Sequence, residues 1–205
     1  SLKKACQANA GWLVVQCTNE CVKRDGLKCV KRTWRRDTSM VCDRNSKARL
    51  TIKKCTPWYA KKLKAAFRTS RFQIKALVTE LEDSLKSDHG LVTKGKLMYA
   101  KAIAKGVKRW MSKPFKITCR EEGFLSCKAG HVANTWIGTR SFNVCNRWAG
   151  IDDKMKASNF IHEVSHKYLT GDKYYYHKGF APKKSHPWHR TASTYNYWIN
   201  NGFCV

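Results

Sequence analysis

The chain of 205 residues has no run of about eighteen apolar residues, so no segment reads as a membrane-spanning helix. It has no paired C-x-x-C knuckles; the closest spacing is Cys17 to Cys21, which excludes a zinc ribbon. It has no internal repeat and no low-complexity tract, which excludes a solenoid. No charged-then-apolar leader opens at Ser1, so a secretion signal is expected to have been removed or never present. Acidic residues are scarce, 14 against 41 basic ones.

That imbalance gives a net charge of +27. It is spread along the chain: residues 1–55, 56–115 and 116–205 carry excesses of +10, +10 and +7. A field of one sign this large attracts polyanions over a Debye length. The expected partners are an anionic surface (cell-wall polymer, lipopolysaccharide or acidic protein) and, less favoured, nucleic acid. The 10 cysteines are even in number and lack zinc-knuckle spacing, so they read as a disulfide framework and an oxidising destination, extracellular or periplasmic. Six of them fall before residue 56, which predicts a basic, disulfide-stapled module over 1–55 and a larger domain over 56–205.

Thr56 before Pro57 is a helix start, a hydroxyl N-cap with proline in the first turn. Apolar residues then recur at helical spacing through Tyr59, Leu63, Phe67, Ile74, Leu77, Val78, Leu81 and Leu85. The "TSR" near 70 is expected to break this run in two, and "SDHG" to end it. A second helix is predicted from about Val92 to Met111, closed by Pro114. Between 115 and 148, "FKITC", "HVANTWIG" and "RSFNVC" read as short strands of a small sheet, with "IGTR" as a hairpin connection. Cys145 is expected to pair with Cys119 or Cys127. The strand 141–145 reads either as a core strand or as one offering its backbone to an extended substrate. Trp136 and Trp148 read as core, and "KKSHPWHR" as a solvated loop. Helix returns at about Asp153–Leu169 and Thr191–Asn200. The fold class is α+β, with a small antiparallel-edged sheet.

"IHEVSH" (161–166) places His162 and His166 one helical turn apart, where both imidazoles reach one Zn²⁺. Glu163 lies about a hundred degrees around the helix, positioned to take a proton from water. A catalytic zinc needs a third protein ligand and an open position. Asp172, after the expected helix stop at Gly171, is the favoured third ligand; His177, His186 and His189 are rivals. Tyr174, Tyr175 and Tyr176 follow, and a tyrosine hydroxyl near the ion can stabilise an oxyanion. A metzincin places its third ligand at the same distance, but it needs glycine where Leu169 stands. It also needs a methionine turn after the ligands, and Met40, Met98, Met111 and Met155 all precede His162.

The segment "IHEVSH" with "TGDKYYYHKG" resembles the aspzincin metallopeptidases, the deuterolysin and lysine-specific metalloendopeptidase group. "FNVCNRW" (142–148) resembles the family's strand before the zinc helix, and "TASTYNYW" (191–198) its N-A-D-S-Y helix, so the resemblance covers about residues 57–200. It implies a zincin-like fold, zinc on His162, His166 and Asp172, and Tyr175 as the catalytic tyrosine. The family's Gly-Thr order is inverted here to Thr170-Gly171. Ser193 stands where lysine-preferring members carry an acid, so their lysine preference does not carry over, while Tyr195 and Trp198 read as packing positions. The expected activity is that of a secreted zinc metalloendopeptidase acting on protein or peptide. The alternatives are a toxin or effector of the same fold that cuts bacterial cell-wall peptide or amide bonds, with an inhibitor or immunity protein as partner, and a non-enzymatic polyanion-binding protein. A purely structural zinc is a further reading.

Overall fold

The computed structural model describes residues 12–25, 28–41, 50–86, 94–121, 123, 127, 131–135, 138–139, 141–172 and 187–201, the first two segments by their backbone alone. Thr56, in an extended conformation, accepts a hydrogen bond from the Tyr59 amide at 3.3 Å and caps α1, Pro57–Ser84. The helix runs unbroken for 28 residues, so the expected break near Thr69 does not occur. The Thr69 and Ser70 hydroxyls donate to the carbonyls of Ala65 and Ala66, each at 3.0 Å. Satisfied within the helix, they no longer compete with it. The second helix, α2, spans Lys94–Met111 and buries Leu97, Ala100, Ile103, Ala104, Val107 and Met111.

Four short strands form one sheet: β3 (Leu50–Lys53), β4 (Phe115–Arg120), β5 (Ala133–Thr135) and β6 (Ser141–Cys145), in the order β3-β4-β6-β5. The first three neighbours run parallel, and β5 joins β6 antiparallel with Ala133 opposite Val144. This is the antiparallel-edged sheet, with Gly138 at φ +84 in the predicted hairpin connection. Because β6 is paired on both sides, its backbone is already used. The expectation that 141–145 could add a substrate strand is corrected to a plain core strand. β3 lies ahead of residue 56 yet belongs to this sheet, and the Cys55–Cys119 disulfide ties it to β4. The Cys127–Cys145 disulfide settles the partner of Cys145. Ahead of the sheet, β1 (Trp12–Asp25) and β2 (Lys28–Val41) form an antiparallel hairpin.

Two further helices, α3 (Asp153–Ser165) and α4 (Ala192–Asn201), pack on each other, and β1 lies against α1 and α4. Phe160 of α3 is the centre of an aromatic cluster: Phe142 of β6 at 4.6 Å between centroids, Phe67 of α1 at 5.4 Å and Trp148 at 6.0 Å. Burying a phenylalanine here stabilises the fold by about 1.5–3 kcal/mol. Every residue from Lys156 to Ser165 is buried. The site helix is therefore a core element held from several sides, which fixes the side chains it presents. Among the described residues, no helix is long and apolar enough to cross a membrane.

Candidate metal centre

His162 in the last turn of α3 and His166 in the turn that continues it, four residues apart, have their rings 5.0 Å apart between centroids with their planes at 86°. The α-helix stops at Ser165, tightens into a 3-10 turn over His166–Tyr168, and ends at Leu169 in the left-handed conformation, φ 62 and ψ 29. The break thus falls on Leu169 and not on Gly171. A leucine there costs about 1–2 kcal/mol in backbone strain, and its side chain is 78% exposed. Ser165 stitches the turn from inside, with Oγ 2.7 Å from the His162 carbonyl and 2.8 Å from Thr170 Oγ1.

Gly171 then pairs with a second segment. Its amide donates to the Arg190 carbonyl at 2.9 Å, and its carbonyl accepts from the Ala192 amide at 3.0 Å. This short parallel bridge brings Asp172 under the two histidines. Its Oδ1 lies 3.1 Å from His162 Nε2 and its Oδ2 3.3 Å from His166 Nε2. One donor atom from each of the three residues falls within 4.8 Å of the others.

The donor set fits a zinc ion. His166 Nδ1 lies 2.8 Å from the Thr170 carbonyl, so that nitrogen carries the hydrogen and Nε2 keeps its lone pair for a cation. Two imidazole nitrogens and one carboxylate oxygen are zinc ligands, and three protein ligands leave an open position. Without a cation, protons hold the cluster together. Burial opposes ionisation of Asp172, yet hydrogen bonds from His162 and His166 outweigh it and hold the carboxyl well below its usual range. Burial likewise works against a charged His166 ring, but the Asp172 hydrogen bond, the Thr170 carbonyl and the charge of Glu163 raise its pKa to about 9.

Glu163 is 8% exposed. Burial pushes its pKa up, while the neighbouring His162 and His166 pull it back. A carboxylate so placed is a stronger base than a free one. Lys167 on the same turn holds its ammonium 4.8 Å from the Trp110 ring centre and donates to the Thr139 carbonyl. Tyr168 lies against α2 so closely that a Cβ on Gly106 would overlap its ring. Sequence reading did not find these supports. The polar pair Ser165 and Thr170, both buried, was the available signal.

His189, a rival ligand, sits on the turn Trp188–Arg190 with its ring edge-on to Tyr99 at 5.3 Å. It is not part of the three-residue group. Tyr195 and Trp198 are buried, and the Tyr195 hydroxyl donates to the His189 carbonyl at 2.8 Å, as packing positions should. Trp148 is wholly buried. Tyr174, Tyr175, Tyr176, His177, His186 and Trp136 lie outside the described residues.

The helices and the small, antiparallel-edged sheet define an α+β fold, with the histidine pair and Asp172 gathered at the end of α3. Among solved structures the chain is similar in fold to a zinc peptidase from Grifola frondosa, at a TM-score of 0.57 and 14% identity. The match covers 72% of this chain and 97% of that one. At this identity the likeness is one of fold, and it agrees with the resemblance read from residues 57–200. No protein-family model matches the chain, and no curated protein does.

Proposed function

We propose that the protein is a secreted zinc metalloendopeptidase. The observation that carries the reading is the convergence of His162, His166 and Asp172 to within 4.8 Å beside the buried Glu163. When bound, zinc supplies Lewis-acid polarisation of a carbonyl oxygen and makes water at the open position more acidic. His162 and His166 offer Nε2 to the ion, and Thr170 holds the second ring in the required tautomer. Asp172 is the third ligand. Glu163 takes the proton leaving the attacking water and hands it to the amine nitrogen as the C–N bond breaks. Tyr175 donates a hydrogen bond to the carbonyl oxygen as negative charge builds there.

The two disulfides, Cys55–Cys119 and Cys127–Cys145, support an oxidising destination. The Cys-rich module expected over 1–55 is read as ending before β3, because Leu50–Lys53 pairs with β4 in the sheet of the larger domain. The charge of +27 supports an anionic surface as a second partner, and with it the reading of a toxin or effector that cuts cell-wall peptides. Digestion of a mixed peptide library by the zinc-loaded chain, with Glu163→Gln as comparison, tests the proposal. Cleavage by wild type and its loss in Glu163→Gln with zinc retained is the expected result. Equal cleavage by both overturns the mechanism. Release of fragments from purified peptidoglycan, with no cleavage of the library, favours the effector reading.

A further inference from the structure

The basic side chains of α1 are ordered. Lys61, Lys64, Arg68 and Lys75 are all exposed. At 3.6 residues per turn they fall within about 60° of one another around the helix axis. The half-buried Arg71 borders the same line. From Lys61 to Lys75 the row runs for about 21 Å at 1.5 Å per residue. No acidic residue occurs in α1 before Glu80, and none of the four pairs with a carboxylate among the described residues. The opposite face of α1 carries Leu63, Phe67 and Ile74, and Phe67 packs on Phe160 of α3. The row is therefore turned away from the face that supports the metal centre.

From this geometry we propose that the exposed row Lys61–Lys64–Arg68–Lys75 is an exosite for a linear phosphodiester polymer, which it grips by successive phosphates. Cations lined up along one helix at roughly 7 Å average spacing suit a chain of repeated negative charge. A bilayer surface suits the row less well, because interfacial helices set large apolar residues beside their cations. Among the described residues none is exposed between Lys61 and Lys75; the exposed Trp58 stands one turn before the row, with the Lys62 ammonium 5.9 Å from its ring. Along the row itself there is no aromatic platform for bases, so recognition by its four cations is of the backbone. The inference takes from the proposed function only its anionic partner. It does not depend on the peptidase chemistry.

The test separates this row from the general positive field. Two variants of the zinc-loaded full chain lose the same charge: Lys61→Gln/Lys64→Gln/Arg68→Gln/Lys75→Gln, and a control, Lys53→Gln/Lys54→Gln/Lys94→Gln/Lys116→Gln, drawn from exposed lysines elsewhere. The probes are a mixed-sequence duplex DNA of twenty base pairs, a poly(glycerol phosphate) chain, and phosphatidylglycerol vesicles. The row variant should bind both polymers more than about tenfold more weakly than the control. Its slope of log affinity against log salt on DNA should fall by about 3 to 4, since each engaged cation contributes about 0.9. Equal losses in the two variants overturn the exosite and leave a diffuse field. Binding of vesicles but of neither polymer overturns the stated partner. Circular dichroism confirms that both variants fold. Unchanged wild-type cleavage of a short peptide by the row variant keeps failure of the exosite distinct from failure of the peptidase reading.

Discussion

Replacing Gly106 with alanine probes how the turn after the site helix is seated. Inside an ordinary helix this change stabilises by about 1 kcal/mol. Here the new Cβ would overlap Cε1 and Cζ of the Tyr168 ring, so the ring must move. Overpacking of this kind costs about 1–3 kcal/mol, and the two effects leave a change between roughly zero and 2 kcal/mol destabilising. Removing the ring separates them. In a Tyr168→Ala background, Gly106→Ala should recover its gain of about 1 kcal/mol, giving a coupling of about 1–3 kcal/mol across the double-mutant cycle. Urea unfolding of the metal-free chain, disulfides intact, measures all four proteins. Tyr168 is two residues past His166, so zinc affinity should fall in Gly106→Ala and recover in the double variant. A Gly106→Ala protein about 1 kcal/mol more stable than wild type, with no coupling to Tyr168, would refute the reasoning.

Leu169→Gly should leave stability unchanged or raise it by up to about 1 kcal/mol: relief of left-handed strain of about 1–2 kcal/mol is partly offset by the freer unfolded chain, and the exposed side chain gives up little packing. Thermal unfolding reads it, and a loss above about 1 kcal/mol contradicts the assigned turn. A proton on His166 competes with zinc, and its pKa is raised to about 9 in the metal-free protein. Apparent zinc affinity should therefore climb by about tenfold per pH unit from neutrality to about pH 9 and then level off; a flat profile removes His166 from the ligand set. The same pair sets the stability of the metal-free chain. The raised His166 contributes fully below its unfolded pKa and is lost as pH rises through about 9, whereas the depressed Asp172 contributes above the usual carboxylate range and is lost as pH falls. Stability from this cluster is thus greatest in mildly acidic solution, which urea midpoints across pH will show or deny. Removing Cys127–Cys145 by paired serines should cost about 3 kcal/mol and Cys55–Cys119 about 4, in keeping with sequence separations of 18 and 64; equal small losses would point to closure already present in the unfolded chain.

The parts of the molecule written in local chemistry were legible in the sequence. Thr56-Pro57 announces α1 through its cap, the apolar period marks the buried faces of α1 and α2, and the His162/His166 spacing is fixed by helix geometry alone. What depends on distant partners was not. Thr69 and Ser70 look like a helix breaker until their hydroxyls are seen bonded to Ala65 and Ala66. Leu169 looks unable to end a helix, because propensity does not register that its neighbours can hold it left-handed. The segment before residue 56 reads as one Cys-rich unit, whereas Leu50–Lys53 is recruited by β4 across 60-odd residues of intervening chain. Asp172 was legible as a carboxylate near the right place, but its seat depends on Gly171 pairing with the segment around Thr191, a contact that no local pattern encodes.

The most direct measurement is zinc stoichiometry and affinity, by competition with a chromophoric chelator, for wild type, Glu163→Gln, Asp172→Ala and His189→Ala. The account predicts one zinc per chain in wild type, in Glu163→Gln and in His189→Ala, and binding weaker by more than about tenfold in Asp172→Ala. Full-strength binding by Asp172→Ala would contradict it, because the ion would then be held by something other than the three side chains that the turn after α3 brings together.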